Sequence, residues 1–132
     1  MSRQHYIDKF VDHYEFPRHR GVLPEADIVA HEVNAGCGDA ITIYLNVGEG
    51  DIAEIIQFEG EGCTISQGAA SILLEMVQRR PLAEIEAIDY NDLVEALGKE
   101  IVSTRVRCAT LGLKTLKAAI KQHYAHRPQV SS

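Results

Sequence analysis

The sequence predicts an α+β fold: a three-stranded antiparallel sheet with an N-terminal helix and a C-terminal set of helices packed on it. Apolar residues recur at helical spacing near the start of the chain, strand-like alternation fills the middle, and helical spacing returns from about residue 66. The 132 residues suit one domain, 1–132, with a real core. Residues 127–132 are expected to form a disordered tail.

The first helix is predicted from four apolar residues at i, i+3, i+4 and i+7, which mark one helix face: Ile7, Phe10, Val11 and Tyr14. Pro17 ends this helix, because the residue before a proline avoids the α region. A loop with solvated arginines is expected at 18–24.

The sheet is predicted from the segments 27–34, 40–47 and 52–59. The middle segment alternates most clearly, with four apolar side chains on one face: Ile41, Ile43, Leu45 and Val47. Short connections between the segments favour an antiparallel meander. One apolar face of the sheet must then be covered, which is the role expected of the later helices.

Those helices are predicted at 66–78, 90–97 and 109–124. Asp89 is the expected N-cap of the middle helix and Gly98 its C-cap. The last helix is expected to bury Leu113, Leu116 and Ile120.

Composition excludes several functions. The net charge is −6 without a basic block, which argues against a nucleic-acid partner. No apolar run approaches the ~18 residues needed to span a membrane, and the N-terminus lacks an apolar signal segment, so a cytoplasmic location is expected. Three cysteines, an odd number, argue against a disulfide framework and leave metal binding or thiol chemistry.

Each cysteine is predicted at a junction between elements. Cys63 follows Gly60 and Gly62 and precedes a helical pattern, which would place its sulfur at the positive end of a helix dipole and favour the thiolate. Cys37 lies between glycines, two residues before Asp39, so the two side chains would project to the same side of an extended chain. The alternatives are a buried core cysteine at 63 and a polar turn with a chance cysteine at 37.

Cys108 follows Arg105 and Arg107 at the start of the last helical segment, and these cations would stabilise a thiolate. The alternative is a core cysteine beside surface arginines. If the junctions converge, Cys37, Cys63, Cys108 and Asp39 supply three sulfurs and one oxygen, a four-coordinate set suited to zinc or to iron in an iron–sulfur cluster. The histidines are expected to lie elsewhere: His5, His13, His123 and His126 on the surface, and His31 satisfied within a strand.

At these residues the chain resembles the U-type iron–sulfur cluster assembly scaffolds, namely IscU, SufU and the N-terminal part of NifU. The resemblance covers nearly everything from Tyr6 to about Lys121. Its specific marks are four segments: His13-Tyr14-Glu15-Phe16-Pro17-Arg18 with Gly21, Cys37-Gly38-Asp39, Gly60-Glu61-Gly62-Cys63-Thr64-Ile65-Ser66, and Arg107-Cys108-Ala109.

The resemblance implies a function and partners. Family members accept sulfur from a cysteine desulfurase, assemble a [2Fe–2S] cluster and pass it to apo-proteins, and many bind Zn²⁺ at the same ligands. The implied ligands here are Cys37, Asp39, Cys63 and Cys108. Cys37 and Cys108 are the candidate sulfur acceptors, with Cys37 favoured, and Arg107 is assigned an electrostatic role.

Two features separate this chain from the IscU branch. Arg107 stands where that branch usually has a histidine, and 101–105 lacks its Leu-Pro-Pro-Val-Lys chaperone motif, which argues against docking of the specialised Hsp70 chaperone. The Cys63 and Cys108 segments look like SufU, but the chain is too short for the SufU insert before the third cysteine. The alternative function is therefore a zinc-dependent sulfur acceptor that activates a desulfurase; a purely structural zinc module fits less well.

Overall fold

The computed structural model describes residues 3–36 and 38–126; Cys37 and the predicted tail 127–132 lie outside the described residues. It confirms the α+β class, with an N-terminal helix, a three-stranded antiparallel sheet and several C-terminal helices in chain order. In chain order the elements are α1 (Arg3–Glu15), β1 (Ile28–Asn34), β2 (Asp39–Gly48), β3 (Ile52–Glu61), α2 (Thr64–Val77), α3 (Leu82–Glu86), α4 (Tyr90–Leu97), α5 (Lys99–Val102), α6 (Val106–Ala109) and α7 (Leu111–His126).

The sheet is the predicted antiparallel meander in the order β1-β2-β3. Its core face is the predicted one, since Ile41, Ile43 and Leu45 are completely buried. The first pair of β1 and β2 joins Asn34 to Asp39 directly across the turn. This pairing places Asp39 at the end of the sheet where the turn around residue 37 begins.

The outer edge of β3 is partly covered by the segment that precedes β1. The Gly21 N–H donates to the Phe58 carbonyl and the Phe58 N–H donates to the His19 carbonyl, both at 2.8 Å. The Arg20 guanidinium donates to the Gly60 carbonyl at 3.0 Å. The expected loop of solvated arginines is therefore in part an edge segment that pairs with the sheet and shields its backbone groups.

Helix α2 lies at the centre of the helical part. It contacts α1, β3, α4, α6 and α7, and α7 covers β1 and β2. The buried apolar residues form a single cluster, which includes the three residues predicted for the buried stripe of α7: Leu113, Leu116 and Ile120. The extent of one domain over 1–132 stays a prediction.

Helix α1 buries a different face from the one predicted. Phe10 and His13 are buried, whereas Val11 and Tyr14 are each 46% exposed. The reason lies in α2: a Cβ atom at Gly68 would be 2.8 Å from the Phe10 ring, so this glycine admits the ring. The expected surface position of His13 is therefore wrong. His13 lies on the face of α1 that packs on α2, where its ring contacts the buried Ser71 hydroxyl.

The C-terminal helices are more divided than predicted. The caps at Asp89 and Gly98 are confirmed for α4, but α3 and α5 were not predicted. The expected helix 109–124 is interrupted at Thr110, whose hydroxyl donates to the Val106 carbonyl at 2.8 Å and closes α6. Within the part of the chain that the structure describes, no helix is long and apolar enough to cross a membrane.

The burial of His13 has a measurable consequence. Its Nδ1 lies 2.8 Å from the Ser71 hydroxyl, which also accepts the Arg18 N–H. Burial lowers the pKa of His13 below its usual value near 6.5, and the Arg18 charge adds to this effect, while Glu75 and Asp12 oppose it. The unfolded chain therefore takes up the proton first as pH falls.

We expect the His13 contribution to stability to be complete above about pH 6.5 and to be lost as pH falls through the lower pKa of the folded state. Urea unfolding of the wild type and His13→Gln between pH 7.5 and 5 measures it. The wild type should lose free energy of unfolding relative to the variant on acidification. His31→Gln, at an exposed strand histidine, is the control. A difference between wild type and His13→Gln that does not change with pH would contradict the prediction.

Candidate metal centre

Three of the four predicted ligands converge. Asp39 is the first residue of β2, Cys63 directly precedes α2, and Cys108 lies in α6. One carboxylate oxygen of Asp39 and the two cysteine sulfurs all lie within 4.8 Å of one another. For comparison, two thiolates on one tetrahedral zinc ion are roughly 3.8 Å apart, given Zn–S bonds of about 2.3 Å.

Asp39 is completely buried, and its two oxygens differ in their surroundings. Oδ1 accepts the Cys63 N–H at 2.9 Å and the Ser66 hydroxyl at 3.3 Å. Oδ2 is buried and has no hydrogen-bond partner among the described residues. Because an unpaired buried carboxylate oxygen is costly, this atom is suited to a cation.

Cys63 is the N-cap of α2. Its sulfur accepts the Ser66 N–H at 3.5 Å, in the position where an N-cap side chain usually places an oxygen. The residue is half-buried. The predicted location at the positive end of a helix is confirmed.

Two glycines allow this arrangement. Gly62 has a φ of +140°, and a Cβ atom on it would collide with the Asp39 carboxylate. A Cβ atom on Gly60 would lie 2.7 Å from the Ala40 carbonyl oxygen on β2. The glycines therefore let the chain after β3 pass directly over the carboxylate.

Cys108 is the third member of the group with Asp39 and Cys63, and it comes from the C-terminal part of the chain. It is 1% exposed, and the Asn34 side-chain nitrogen lies 3.9 Å from its sulfur. The neighbouring Arg107 is exposed and lines a cavity beside the site. The core-cysteine alternative is thus correct about burial, but the sulfur also faces the other two ligands.

Cys37 stays a predicted ligand, because it lies outside the described residues. The residues on either side of it, Gly36 and Gly38, are exposed in the turn between β1 and β2. The Gly38 N–H donates to the Asn34 carbonyl at 3.0 Å, so the base of the turn is closed next to Asp39.

The donor set fits zinc and fits iron in a cluster. Thiolates are preferred by both, and one carboxylate oxygen is compatible with either. When bound, the metal would place a positive charge beside Asp39 Oδ2, the oxygen that has no hydrogen-bond partner among the described residues. No described histidine belongs to this group. His31 donates to or accepts from the Thr42 hydroxyl at 2.8 Å, as a satisfied strand histidine was expected to do.

Three neighbours of the ligands had no predicted role. Ser66 and Gln67 are buried and form a chain of hydrogen bonds from the Gln67 amide through the Ser66 hydroxyl to Asp39. Asn34 is the third. A signal for Ser66 was present, since it stands three residues after Cys63, where a helix N–H and a side chain both face the residue that caps the helix.

The sequence profile of the NifU-like N terminal domain family matches residues 5–130. The chain belongs to this family. The resemblance to U-type scaffolds is therefore confirmed.

Relatives described as cluster assembly scaffolds and as a sulfurtransferase match most of this chain. The iron–sulfur cluster assembly scaffold protein IscU of Aquifex aeolicus is 35% identical over 126 residues, covering 95% of this chain and 80% of the relative. The zinc-dependent sulfurtransferase SufU of Bacillus subtilis is 31% identical over 132 residues, covering 87% and 88%. A structure of a candidate scaffold protein for the SUF system from Fervidobacterium islandicum superposes with a TM-score of 0.73 at 26% identity, covering 91% and 99%.

Proposed function

We propose that this chain is a scaffold on which a [2Fe–2S] cluster is assembled from iron and desulfurase-derived sulfur and then passed to apo-proteins. The observation that carries the proposal is the convergence of Asp39, Cys63 and Cys108, with one buried carboxylate oxygen that has no hydrogen-bond partner in the described part of the chain. The IscU relatives support it. Cys37 is proposed as the fourth ligand, and the partners are a cysteine desulfurase and recipient apo-proteins.

The mixed ligand set suits a cluster that must leave. Three thiolates would hold the iron, while Asp39 is a harder ligand and a weaker one for an iron–sulfur cluster. Its Oδ1 is already held by the Cys63 N–H and the Ser66 hydroxyl, which leaves Oδ2 as the oxygen available to the metal. Loss of the cluster would begin at this oxygen.

The second candidate is a zinc-dependent sulfur acceptor that activates a cysteine desulfurase and builds no cluster. The Bacillus subtilis relative favours it, and two thiols with a carboxylate suit zinc equally. Zinc would hold the thiols until the partner frees one. Both candidates use the same residues, so metal content separates them better than mutation does.

The test is anaerobic purification followed by assay of iron, zinc and acid-labile sulfide. For a scaffold, we expect the purified protein to contain iron with equimolar sulfide and to transfer its cluster to an apo-ferredoxin. Zinc alone, together with faster turnover of a desulfurase, would replace the proposal with the second candidate. Protein carrying Cys63→Ser is the control for binding outside the site.

The first acceptor of sulfur is predicted to be Cys37. Cys108 is 1% exposed, so a donor persulfide cannot reach it without rearrangement of α6. The flanking Gly36 and Gly38 are exposed. Transfer needs access as well as nucleophilicity, and nucleophilicity gains little from a lowered thiol pKa.

Single-turnover transfer of labelled sulfur to Cys37→Ser and Cys108→Ser, with mass spectrometry of the persulfide, measures this. Cys37→Ser should lose acceptance and Cys108→Ser should largely retain it. The reverse pattern would assign the first step to Cys108.

A further inference from the structure

A cavity of about 290 Å³ adjoins the candidate metal centre. Asn34 belongs to both, because it lines the cavity and its side-chain nitrogen lies 3.9 Å from the Cys108 sulfur. Arg107, the residue before Cys108, is also in the wall. Asn34 therefore lies next to both the cavity and the buried Cys108 thiol.

The charges at this cavity are opposite to those of the whole chain. Arg107 and Lys114 line it, and the Lys117 ammonium lies 5.0 Å from the ring of Tyr90, which also lines it. The Glu32 carboxylate, at 3.7 Å from the Lys114 ammonium, partly offsets this charge. Arg107 has no ion pair with any described residue. The cavity is thus locally cationic on a protein of net charge −6.

The remaining walls are apolar or carry neutral donors. Val33 and Leu111 form the apolar side. The hydroxyl of Tyr90 and the amide of Asn34 are neutral groups that can donate to an anion. A guanidinium suits a carboxylate because it can donate two parallel hydrogen bonds, and the apolar side favours an organic ligand over an inorganic ion.

We infer that this cavity binds a small organic carboxylate, with the carboxylate against Arg107 and Lys114 and the carbon chain against Val33 and Leu111. A carboxylate bound in this cavity would block access of reagents to Cys108 from the side of Asn34. Binding needs neither cluster nor zinc, so the inference can fail while the scaffold function stands, and it can hold if the scaffold function fails.

Calorimetric titration of the full chain with succinate tests the binding, with uncharged succinamide as the comparison ligand. Arg107→Gln and Lys114→Gln should each weaken succinate binding by about tenfold, because each removes a charge-assisted hydrogen bond. Lys121→Gln is the matched control: it removes an exposed lysine two turns further along α7, outside the cavity. Its effect should stay below about twofold.

A second measurement follows Cys108 itself. Iodoacetamide is uncharged, and Cys108 is the only cysteine in the tryptic peptide that reports it, which is 108–114 in the wild type and 106–114 in Arg107→Gln, where the cleavage site at 107 is lost. Saturating succinate should slow this alkylation in the wild type but not in Arg107→Gln. The inference is overturned if succinate does not bind, if succinamide binds as well, if Lys121→Gln weakens binding as much as Lys114→Gln, or if Cys108 alkylation is unchanged at saturation.

Discussion

Gly62→Ala is expected to lower the free energy of unfolding by about 4 kcal/mol and to abolish metal binding. Two costs add: a φ of +140° is strained for any residue with a Cβ atom, and that atom would displace the Asp39 carboxylate from its hydrogen bonds. Urea unfolding and metal analysis of the purified variant measure the two effects separately.

Gly50→Ala is the matched control. Gly50 also has a positive φ, +84°, but a Cβ atom there would meet nothing within 4 Å. The free energy of unfolding of this variant should fall only by the cost of the backbone conformation, about 1–2 kcal/mol, and the variant should still bind metal. If Gly62→Ala binds metal as the wild type does, the close passage over Asp39 is not required for the site.

Asp39→Ala is expected to give a cluster that lives severalfold longer. The variant removes the predicted hard oxygen ligand and would leave a site dominated by thiolates. It also leaves the Cys63 N–H without its partner, at a cost of about 1–3 kcal/mol of folding free energy. Decay of the visible cluster absorbance in air measures lifetime, and thermal unfolding measures the cost.

Asp39→Asn separates these two effects. Asparagine keeps an acceptor for the Cys63 N–H but offers only a weak amide ligand. If the ligand controls release, both variants should prolong the cluster and only Asp39→Ala should lose stability. Decay in both variants that is as fast as in the wild type would contradict a release role for Asp39.

Local patterns determine how much of this fold can be predicted from the sequence. The alternation around Ile43 predicts β2 and its buried face, and the caps at Asp89 and Gly98 predict α4 to the residue. The glycines before Cys63 predict its position at a helix start. In each case the signal lies within a few residues of the structure that it specifies.

The missed features depend on contacts between distant segments. The burial of His13 depends on its contact with Ser71 of α2, and the exposure of Val11 and Tyr14 follows from the same packing of α1 on α2. The short helices α3 and α5 have too few residues for a periodic pattern. The convergence of Asp39 and Cys108 could be predicted only through the family resemblance, because their separation along the chain carries no spacing signal.

The three predicted ligands that the structure describes lie at the start of β2, directly before α2 and in α6, so the proposed centre is complete only when nearly the whole domain is present. During synthesis Asp39 and Cys63 emerge long before Cys108, and a metal captured early would have only part of its ligand set. A bound metal would also link α6 to the sheet, and it would act as a cross-link that closes two long loops of the chain. Tight metal binding should therefore occur only late, in chains that are fully synthesised and correctly packed.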